Sequence, residues 1–293
     1  MDSCKGRVAI VTGGGNGMGR AAAHLLAKEG AKVVVNDVAA SKEQPGKMCA
    51  DIVAEEIRAM GFEAVASNDD LADPATGEKL VKLAVDTFGT VDILCMVAGA
   101  TTGPMPIEDM SVELFQKICN INTTSMFALM HHAVPIMKEK GYGRIVAFAS
   151  RAAFGGAHSA AYSASKGGVM GLVAEQGFEL AKYGIKVNCI LPSAVTGMFP
   201  KSKVAYDGTP RPAPEGPAPT APMTVYLCSE ACDPTGEYFY VSGCDVGLYP
   251  RNRLPLGLIR KGNEVIWTVE ELETMVPETF GWYFSTRPGD SVR

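Results

Sequence analysis

Tyr162 and Lys166 could together move a proton, because they lie four residues apart in a stretch that is typical of a helix. At that spacing both side chains share one helix face, about one turn apart. A nearby ammonium favours the phenolate, which would lower the tyrosine pKa from about 10 and let the phenol exchange a proton with an alcohol or carbonyl. The same spacing occurs on solvated helix faces, so support must come from the rest of the chain.

A glycine turn precedes this pair by more than a hundred residues. Gly13, Gly17 and Gly19 separate an apolar run, 7–12, from a stretch with helical periodicity, 20–29. Glycines between a strand and a helix let the backbone approach a pyrophosphate at the positive end of the helix. The pattern is T-G-x-x-x-G-x-G rather than G-x-G-x-x-G, and a tight strand-to-helix connection is the alternative explanation.

Asp37 ends the second predicted strand, 18 residues beyond Gly19 (37 − 19 = 18). A carboxylate there accepts hydrogen bonds from ribose hydroxyls and repels a 2′-phosphate. No arginine stands at residues 38–40 to offset it, so NAD is favoured over NADP. Asp70 follows the third predicted strand and could accept from the adenine amino group, or it could belong to a solvated turn.

Strands and helices alternate along the chain, which predicts a doubly wound α/β fold with a mostly parallel sheet and ligands at the carboxyl ends of the strands. The predicted strands are 7–12, 32–37, 64–67, 91–97, 144–149, 185–191 and 239–241. The predicted helices are 20–29, 48–60, 78–88, 112–138, 161–182 and 223–228.

The last third of the chain has a different composition. Prolines crowd residues 200–222, which predicts a substrate loop at about 196–222, acting as a lid or a plain linker. We therefore expect one domain over 1–248 and an extension over 249–293. A capping box at Thr268 and Glu271 predicts a helix in that extension.

Composition excludes several classes of function. The net charge of −5 leaves no basic field for nucleic acid. The longest apolar runs are strand-sized, and the start lacks the apolar core of a signal peptide. The eight cysteines form no CxxC pair and indicate reduced core residues, with no metal site expected. We expect a soluble, cytoplasmic protein that does not bind membranes.

The glycine turn with Asp37 and the Tyr162–Lys166 pair belong to one larger pattern. The chain is similar to the short-chain dehydrogenase/reductase family over roughly residues 5–245, through a set of residues in the family's order and spacing. That set is Thr12, Gly13, Gly17, Gly19, Asp37, Ala98, Gly99, Asn122, Ser150, Tyr162, Lys166 and Pro192. The resemblance implies a Rossmann-like sheet of about seven parallel strands, a nicotinamide cofactor, and a homodimer or homotetramer built on the helices predicted at 112–138 and 161–182.

The resemblance also implies a role for each site residue. Tyr162 would be the acid/base and Ser150 would hold the substrate oxygen. Lys166 would lower the tyrosine pKa and contact the nicotinamide ribose, while Asn122 would help hold a water in a proton relay. The implied cofactor-binding residues are Gly13, Asn16, Gly17, Met18, Gly19, Asp37, Asp70, Leu71, Ala98, Gly99, Tyr162, Lys166, Pro192, Val195 and Thr196.

Three departures from the family pattern are visible. Met96 and Val97 stand where the family usually has two asparagines, so two bracing side chains are apolar here. Ser193 replaces a glycine after Pro192. Ser150 lies 12 residues before Tyr162 (162 − 150 = 12), one fewer than expected, which predicts a shortened loop.

The C-terminal third resembles one group within this family, but this likeness does not identify the substrate. Residues 221–232 resemble the dehydrogenase parts of peroxisomal multifunctional enzymes, a group that oxidises (3R)-hydroxyacyl-CoA thioesters and hydroxysteroids. The first hypothesis is an NAD-dependent dehydrogenase or reductase of a bulky apolar alcohol or ketone, with Met105, Phe154, Met198 and Phe199 near the strand ends. The alternatives are a 3-hydroxyacyl-CoA dehydrogenase or 3-oxoacyl reductase and, from another class, an NAD(H)-binding regulator.

Overall fold

The computed structural model describes residues 2–193, 216–243, 245–250 and 278. Val195, Thr196, Met198, Phe199 and the capping box therefore lie outside the described residues, as do most of the predicted substrate loop and extension. Met1–Tyr249 forms one compact unit.

The fold is a doubly wound α/β sheet, as the alternating pattern predicts, with eight strands in the order β3-β2-β1-β4-β5-β6-β7-β8. The strands are β1 Val8–Thr12, β2 Lys32–Asn36, β3 Ala64–Ser67, β4 Ile93–Met96, β5 Gly143–Phe148, β6 Ile185–Pro192, β7 Tyr238–Ser242 and β8 Asp245–Tyr249. The helices are α1 Gly17–Lys28, α2 Cys49–Ala59, α3 Thr76–Phe88, α4 Val112–Cys119, α5 Ser125–Lys140, α6 Ala160–Glu179 and α7 Ala221–Cys228.

Strands β1 to β7 are parallel, and β8 pairs antiparallel with β7. The prediction of about seven parallel strands is thus confirmed for β1 to β7, but it does not include the antiparallel strand β8. The reason is that Asp245–Tyr249 lies at the sheet edge and exposes Val246 and Leu248, so it lacks the continuous apolar run by which strands buried on both faces are recognised.

Each side of the sheet has its own apolar layer, because successive strand residues point to opposite faces. Ile10, Leu94 and Ile145 pack on one face with α3, α5 and α6. Ala9, Val11 and Cys95 pack on the other face with α1, α2 and α7. The seven cysteines of the described residues are free thiols.

The single helix predicted at 112–138 is wrong in one respect. A π-helical turn, Asn120–Thr124, separates α4 from α5, and Pro135 lies inside α5. Such a turn carries one residue more than an α-helical turn, which apolar periodicity cannot reveal. The helix predicted to end at residue 182 also stops earlier, at Glu179, and a 3₁₀ turn follows at Ala181–Tyr183.

All the parallel strands end at the same edge of the sheet. Thr12, Asn36, Met96, Phe148 and Pro192 are the last residues of β1, β2, β4, β5 and β6. The glycine turn, the loop after β4 and the segment after β5 therefore meet along one edge, which is where doubly wound sheets bind ligands.

Candidate active site

Tyr162 lies in the first turn of α6 and is buried. It forms a side-chain hydrogen bond with Ser150, which holds its pKa down, but burial outweighs this and raises the pKa above its usual value. Ser150 follows β5, and its Oγ also accepts from the Ala152 N–H at 3.2 Å. The phenol is thus kept protonated beside a second hydroxyl.

Lys166 lies one turn further along α6 and is buried, at 3% exposure. Its Nζ donates to the Phe148 carbonyl at 2.6 Å and lies 5.9 Å from the centroid of the Tyr162 ring. Burial lowers the pKa of Lys166 to about 8, and Cys189 partly opposes this.

The lowering of the tyrosine pKa by Lys166 stays a prediction. The pKa of Tyr162 is raised, because removing the phenolate from water costs more than the Ser150 hydrogen bond returns. The lysine's hydrogen bond goes to a strand-end carbonyl, which the spacing of the two residues cannot indicate.

Asn122 occupies the π-helical turn and is fully buried. Its Oδ1 accepts from the Ala100 N–H at 2.7 Å, and its Nδ2 donates to the Ala100 carbonyl and to Ser165 Oγ, both at 2.9 Å. Both side-chain N–H groups are therefore used by the protein, and the water-holding role of Asn122 stays a prediction.

The glycine turn combines tight packing with an open cradle. A Cβ on Gly13 would stand 2.9 Å from the Ala98 backbone, and one on Gly19 would stand 2.1 Å from the Gly13 carbonyl oxygen. Gly17 differs, because its φ of +52° suits glycine while its Cβ position is open. Part of the glycine pattern thus serves the chain's own packing, and Gly17 leaves room for a ligand.

The amino end of α1 is suited to a phosphate. Among the described residues, no side chain caps this end: Asn16 is at the N-cap position but makes no capping bond, and the first turn has no acidic residue. The N–H groups of the turn and the helix dipole can therefore act on an anionic ligand. Met18, in the same turn, is partly buried against the core.

Asp37 stands beside this turn. Its Oδ2 accepts from the Gly15 N–H at 3.0 Å and its Oδ1 from the Ala39 N–H at 2.9 Å. Each carboxylate oxygen can accept a further hydrogen bond, so ribose hydroxyls can still be bound. The residues present thus fit the pyrophosphate and adenosine ribose of a nicotinamide dinucleotide.

The remaining predicted contacts lie along the same edge. Asp70 is exposed and its Oδ1 accepts from the Ala72 N–H at 2.8 Å, so it stabilises a turn, while Leu71 is buried. Ala98 donates to the Thr12 carbonyl at 3.1 Å. A Cβ on Gly99 would stand 3.2 Å from Lys166 Nζ and 3.3 Å from Asn122 Oδ1. Pro192 ends β6.

Three groups in this site were missed by sequence reasoning: the Ala100 backbone, the Phe148 carbonyl and the Ser165 hydroxyl. Backbone groups carry no signal in residue type. Ser165 did carry one, since it lies three residues after Tyr162 and so shares its helix face.

The described residues contain no group of three or more His, Cys, Asp or Glu side chains placed to hold a metal ion. The helices described are all too short or too polar to cross a membrane.

Residues 7–205 match the family model described as short chain dehydrogenase. The chain is 35% identical over 262 residues to the peroxisomal multifunctional enzyme type 2 of Mus musculus, covering 88% of this chain and 35% of that enzyme. It is 34% identical over 246 residues to the 2-dehydro-3-deoxy-L-rhamnonate dehydrogenase (NAD(+)) of Sphingomonas, covering 81% of this chain and 94% of that one.

A solved short chain dehydrogenase from Mycobacterium avium superposes with a TM-score of 0.81 at 34% identity, covering 95% of this chain and 96% of that one. The chain spans only about a third of the length of the multifunctional enzymes that it matches, 38% of the Drosophila melanogaster one and 35% of the mouse one.

Proposed function

The chain belongs to the short-chain dehydrogenase/reductase family, and on that premise we propose that it is an NAD-dependent oxidoreductase that interconverts a secondary alcohol and a ketone on a bulky apolar substrate. The observation that carries this proposal is the buried Tyr162 phenol, hydrogen-bonded with Ser150 one helical turn from the buried Lys166. Such a phenol is a proton donor and acceptor placed beside a second hydroxyl that can hold the substrate oxygen.

The cofactor and the protein side chains supply different parts of the reaction. A bound nicotinamide supplies or accepts the hydride. In ketone reduction Tyr162 gives its hydroxyl proton to the substrate oxygen, and in alcohol oxidation it takes that proton back. Ser150 holds the same oxygen by hydrogen bonding, and Lys166, when protonated, stabilises the phenolate that forms during reduction.

Asp37 supports NAD rather than NADP, because its carboxylate would repel a 2′-phosphate beside the glycine turn. The Sphingomonas relative is named for NAD(+). We expect kcat/KM to be at least about tenfold higher with NAD than with NADP, and Asp37→Ser to reduce that ratio. Equal rates of reduced-cofactor formation with the two cofactors would contradict the choice of NAD.

Phe154 supports an apolar substrate. It lies one 3₁₀ turn after Ser150, its side chain is 63% exposed, and its ring packs 5.5 Å from that of Tyr249. An exposed aromatic ring next to the catalytic hydroxyls offers a surface for a flat or aliphatic group. The alternative substrate, a (3R)-3-hydroxyacyl-CoA or 3-oxoacyl thioester, is supported by the likeness to the multifunctional enzymes.

The decisive experiment is NADH formation over a panel of hydroxysteroids, cyclic terpene alcohols and (3R)-hydroxyacyl-CoA thioesters. Turnover is expected with at least one class. Tyr162→Phe should lower kcat about 10²- to 10⁴-fold, the usual contribution of a positioned acid/base. NADH affinity should remain within about twofold, since the variant removes only one hydroxyl. Tight NADH binding without turnover of any substrate would contradict the enzymatic proposal.

The competing function is an NAD(H)-binding regulator on the same fold. It predicts that Tyr162→Phe leaves the biological activity unchanged while Gly17→Ala, which fills the cofactor cradle, abolishes it. The enzymatic proposal predicts that both variants lose activity.

Assembly and location are also proposals. Phe115, Phe127 and Phe178, on α4, α5 and α6, are large apolar side chains exposed on the surface, which supports a homodimer or homotetramer built on these helices. Sedimentation of the purified protein would measure the state. A cytoplasmic location stays a prediction.

A further inference from the structure

Ser165 links the catalytic tyrosine to another part of the site. It is buried, and its Oγ donates to the Tyr162 carbonyl and accepts from Asn122 Nδ2, both at 2.9 Å. A hydroxyl has one proton to donate and lone pairs to accept, so Ser165 can make both bonds at once. It is thus a node between α6 and the π-helical turn.

Asn122 carries the link onward to the loop after β4. Its two bonds to Ala100, at 2.7 and 2.9 Å, fix both polar groups of that residue's backbone. Ala100 follows Ala98 and Gly99, which the glycine turn and Lys166 approach closely. One continuous set of hydrogen bonds therefore runs from the cofactor side of the site to the turn of α6 that holds Tyr162.

This link stands beside the apolar end of β4 and the apolar first residue of the loop. Met96 is buried in the apolar layer and Val97 is packed against the other layer, so neither can hold the loop by a side-chain hydrogen bond. The Asn122 amide is the polar side chain that reaches the backbone of Ala100. Its own orientation depends on Ser165, the third partner of the amide.

We propose that Ser165 is a positioning residue: through Asn122 it sets the place of Tyr162 relative to the Ala98–Gly99–Ala100 segment against which the cofactor would lie. It touches neither substrate nor cofactor. The effect on kcat rests on the proposed function, whereas the effect on the two hydrogen bonds between Asn122 and the Ala100 backbone does not. Small errors of placement matter, since about 1 Å can cost about a hundredfold in rate.

A purely structural role would also require hydrogen bonds to the buried Ser165 hydroxyl. A second variant that removes a bond between the same two elements is therefore needed for comparison. Thr123 provides it, because its Oγ1 donates to the Ser165 carbonyl at 2.8 Å and so joins the same two elements without touching the Asn122 amide. Thr123→Val removes this bond and keeps the side-chain shape. Ser163→Ala, at a half-buried position two residues earlier in the chain than Ser165, serves as the control for loss of a serine on the same helix.

The experiment measures four variants, Ser165→Ala, Ser165→Thr, Thr123→Val and Ser163→Ala, on the full chain. We expect Ser165→Ala to lower kcat about tenfold to a hundredfold with little change in KM. Ser165→Thr, which keeps the hydroxyl, should recover most of this loss. Thr123→Val should lower the melting temperature as much as Ser165→Ala but leave kcat within about twofold. Ser163→Ala should match the wild type.

Hydrogen exchange followed by mass spectrometry gives a readout that does not need turnover. Residues 97–103 should exchange at least about tenfold faster in Ser165→Ala, because the Ala100 N–H loses a fixed acceptor, and should be unchanged in Thr123→Val. If Ser165→Ala does not fold, Ser165→Cys, a weaker donor of similar size, should show a smaller change of the same sign.

Two outcomes would overturn the proposal: equal kcat in Ser165→Ala and wild type, or equal loss of kcat in Ser165→Ala and Thr123→Val. If the wild type itself turns over nothing, the proposed function fails. Unchanged exchange of residues 97–103 would then overturn the role of Ser165 separately.

Discussion

Burial shifts the pKa values of Tyr162 and Lys166 in the directions that favour their neutral forms. Both side chains are buried at the carboxyl edge of the sheet, and burial disfavours the phenolate and the ammonium alike. Burial thus makes the protonation of each residue depend on the fold as well as on solution pH.

The buried lysine should make stability depend on pH. Its pKa falls from an ordinary value of 10.5 to about 8 on folding. Between these values the unfolded chain binds the proton and the folded chain does not, so the contribution of Lys166 to the free energy of unfolding should rise with pH from about 8 to about 10, by up to ~1.4 kcal/mol per pH unit. Below pH 8 both states bind the proton, so the slope from Lys166 vanishes and the full cost of the buried ammonium is present.

Urea unfolding at pH 7, 8, 9 and 10 would measure this slope. Lys166→Met keeps the apolar stem and should remove the part of the rise that Lys166 causes. Lys182→Met, at an exposed position of the following 3₁₀ turn, should keep it. The same slope in wild type and Lys166→Met would contradict the buried charge as its source.

At the scale of elements, the turn between β1 and α1 uses its glycines for two purposes. Gly19 permits close packing against the Gly13 backbone, while Gly17 supplies a left-handed φ and an open position. The two glycines are equivalent in the sequence pattern but differ in their contacts.

Alanine should therefore destabilise the fold much more at position 19 than at position 17. Gly19→Ala places a Cβ 2.1 Å from a backbone oxygen, and it should destabilise the fold by at least about 3 kcal/mol, the upper range for overpacking. Gly17→Ala meets no atom within 4 Å, so it should cost only the ~1–2 kcal/mol of a left-handed residue.

Gly17→Ala should instead weaken NADH binding at least about tenfold, because its methyl group fills the open position at the end of α1. Urea unfolding and NADH fluorescence titration measure the two effects. Normal NADH affinity in a folded Gly17→Ala protein would show that the cradle does not lie at this turn.

At the scale of the whole molecule, the opposite edge of the sheet is held by a buried charge. Asp92 precedes β4 and is fully buried, with its Oδ2 accepting from the Val8 N–H at 2.9 Å and its Oδ1 paired with Lys140. The Asp92 backbone also accepts from Arg144, at 3.0 Å. One residue thus joins the amino ends of β1, β4 and β5 to α5.

Removing this carboxylate should affect stability alone. We expect Asp92→Ala to lower the free energy of unfolding by about 1–3 kcal/mol, the usual cost of leaving a buried donor, here the Val8 N–H, without its acceptor. Asp86→Ala, which loses an exposed pair with Lys82, should cost less than about 1 kcal/mol. At temperatures where both variants are folded, kcat should equal that of wild type, because Asp92 lies at the far edge from Tyr162.

Much of the fold could be predicted because its signals are local. Buried parallel strands such as β2 and β4 are continuous apolar runs, and helices such as α3 end at a glycine, here Gly89 with a left-handed φ. The π-helical turn at Asn120–Thr124 and the edge strand β8 have no comparable signal, since they depend on which segments pack beside them.

By itself, the sequence determined the order of the elements, the glycine turn at the end of the first strand and the one-turn spacing of Tyr162 and Lys166, because each follows from residue type and period. Only the tertiary structure decided that Lys166 donates to the Phe148 carbonyl, 18 residues away, and that Asn122 reaches Ser165, 43 residues away. It also decided the direction of the tyrosine pKa. Partners so distant in the chain, and the burial that governs a pKa, arise only when the sheet and its helices pack around one edge.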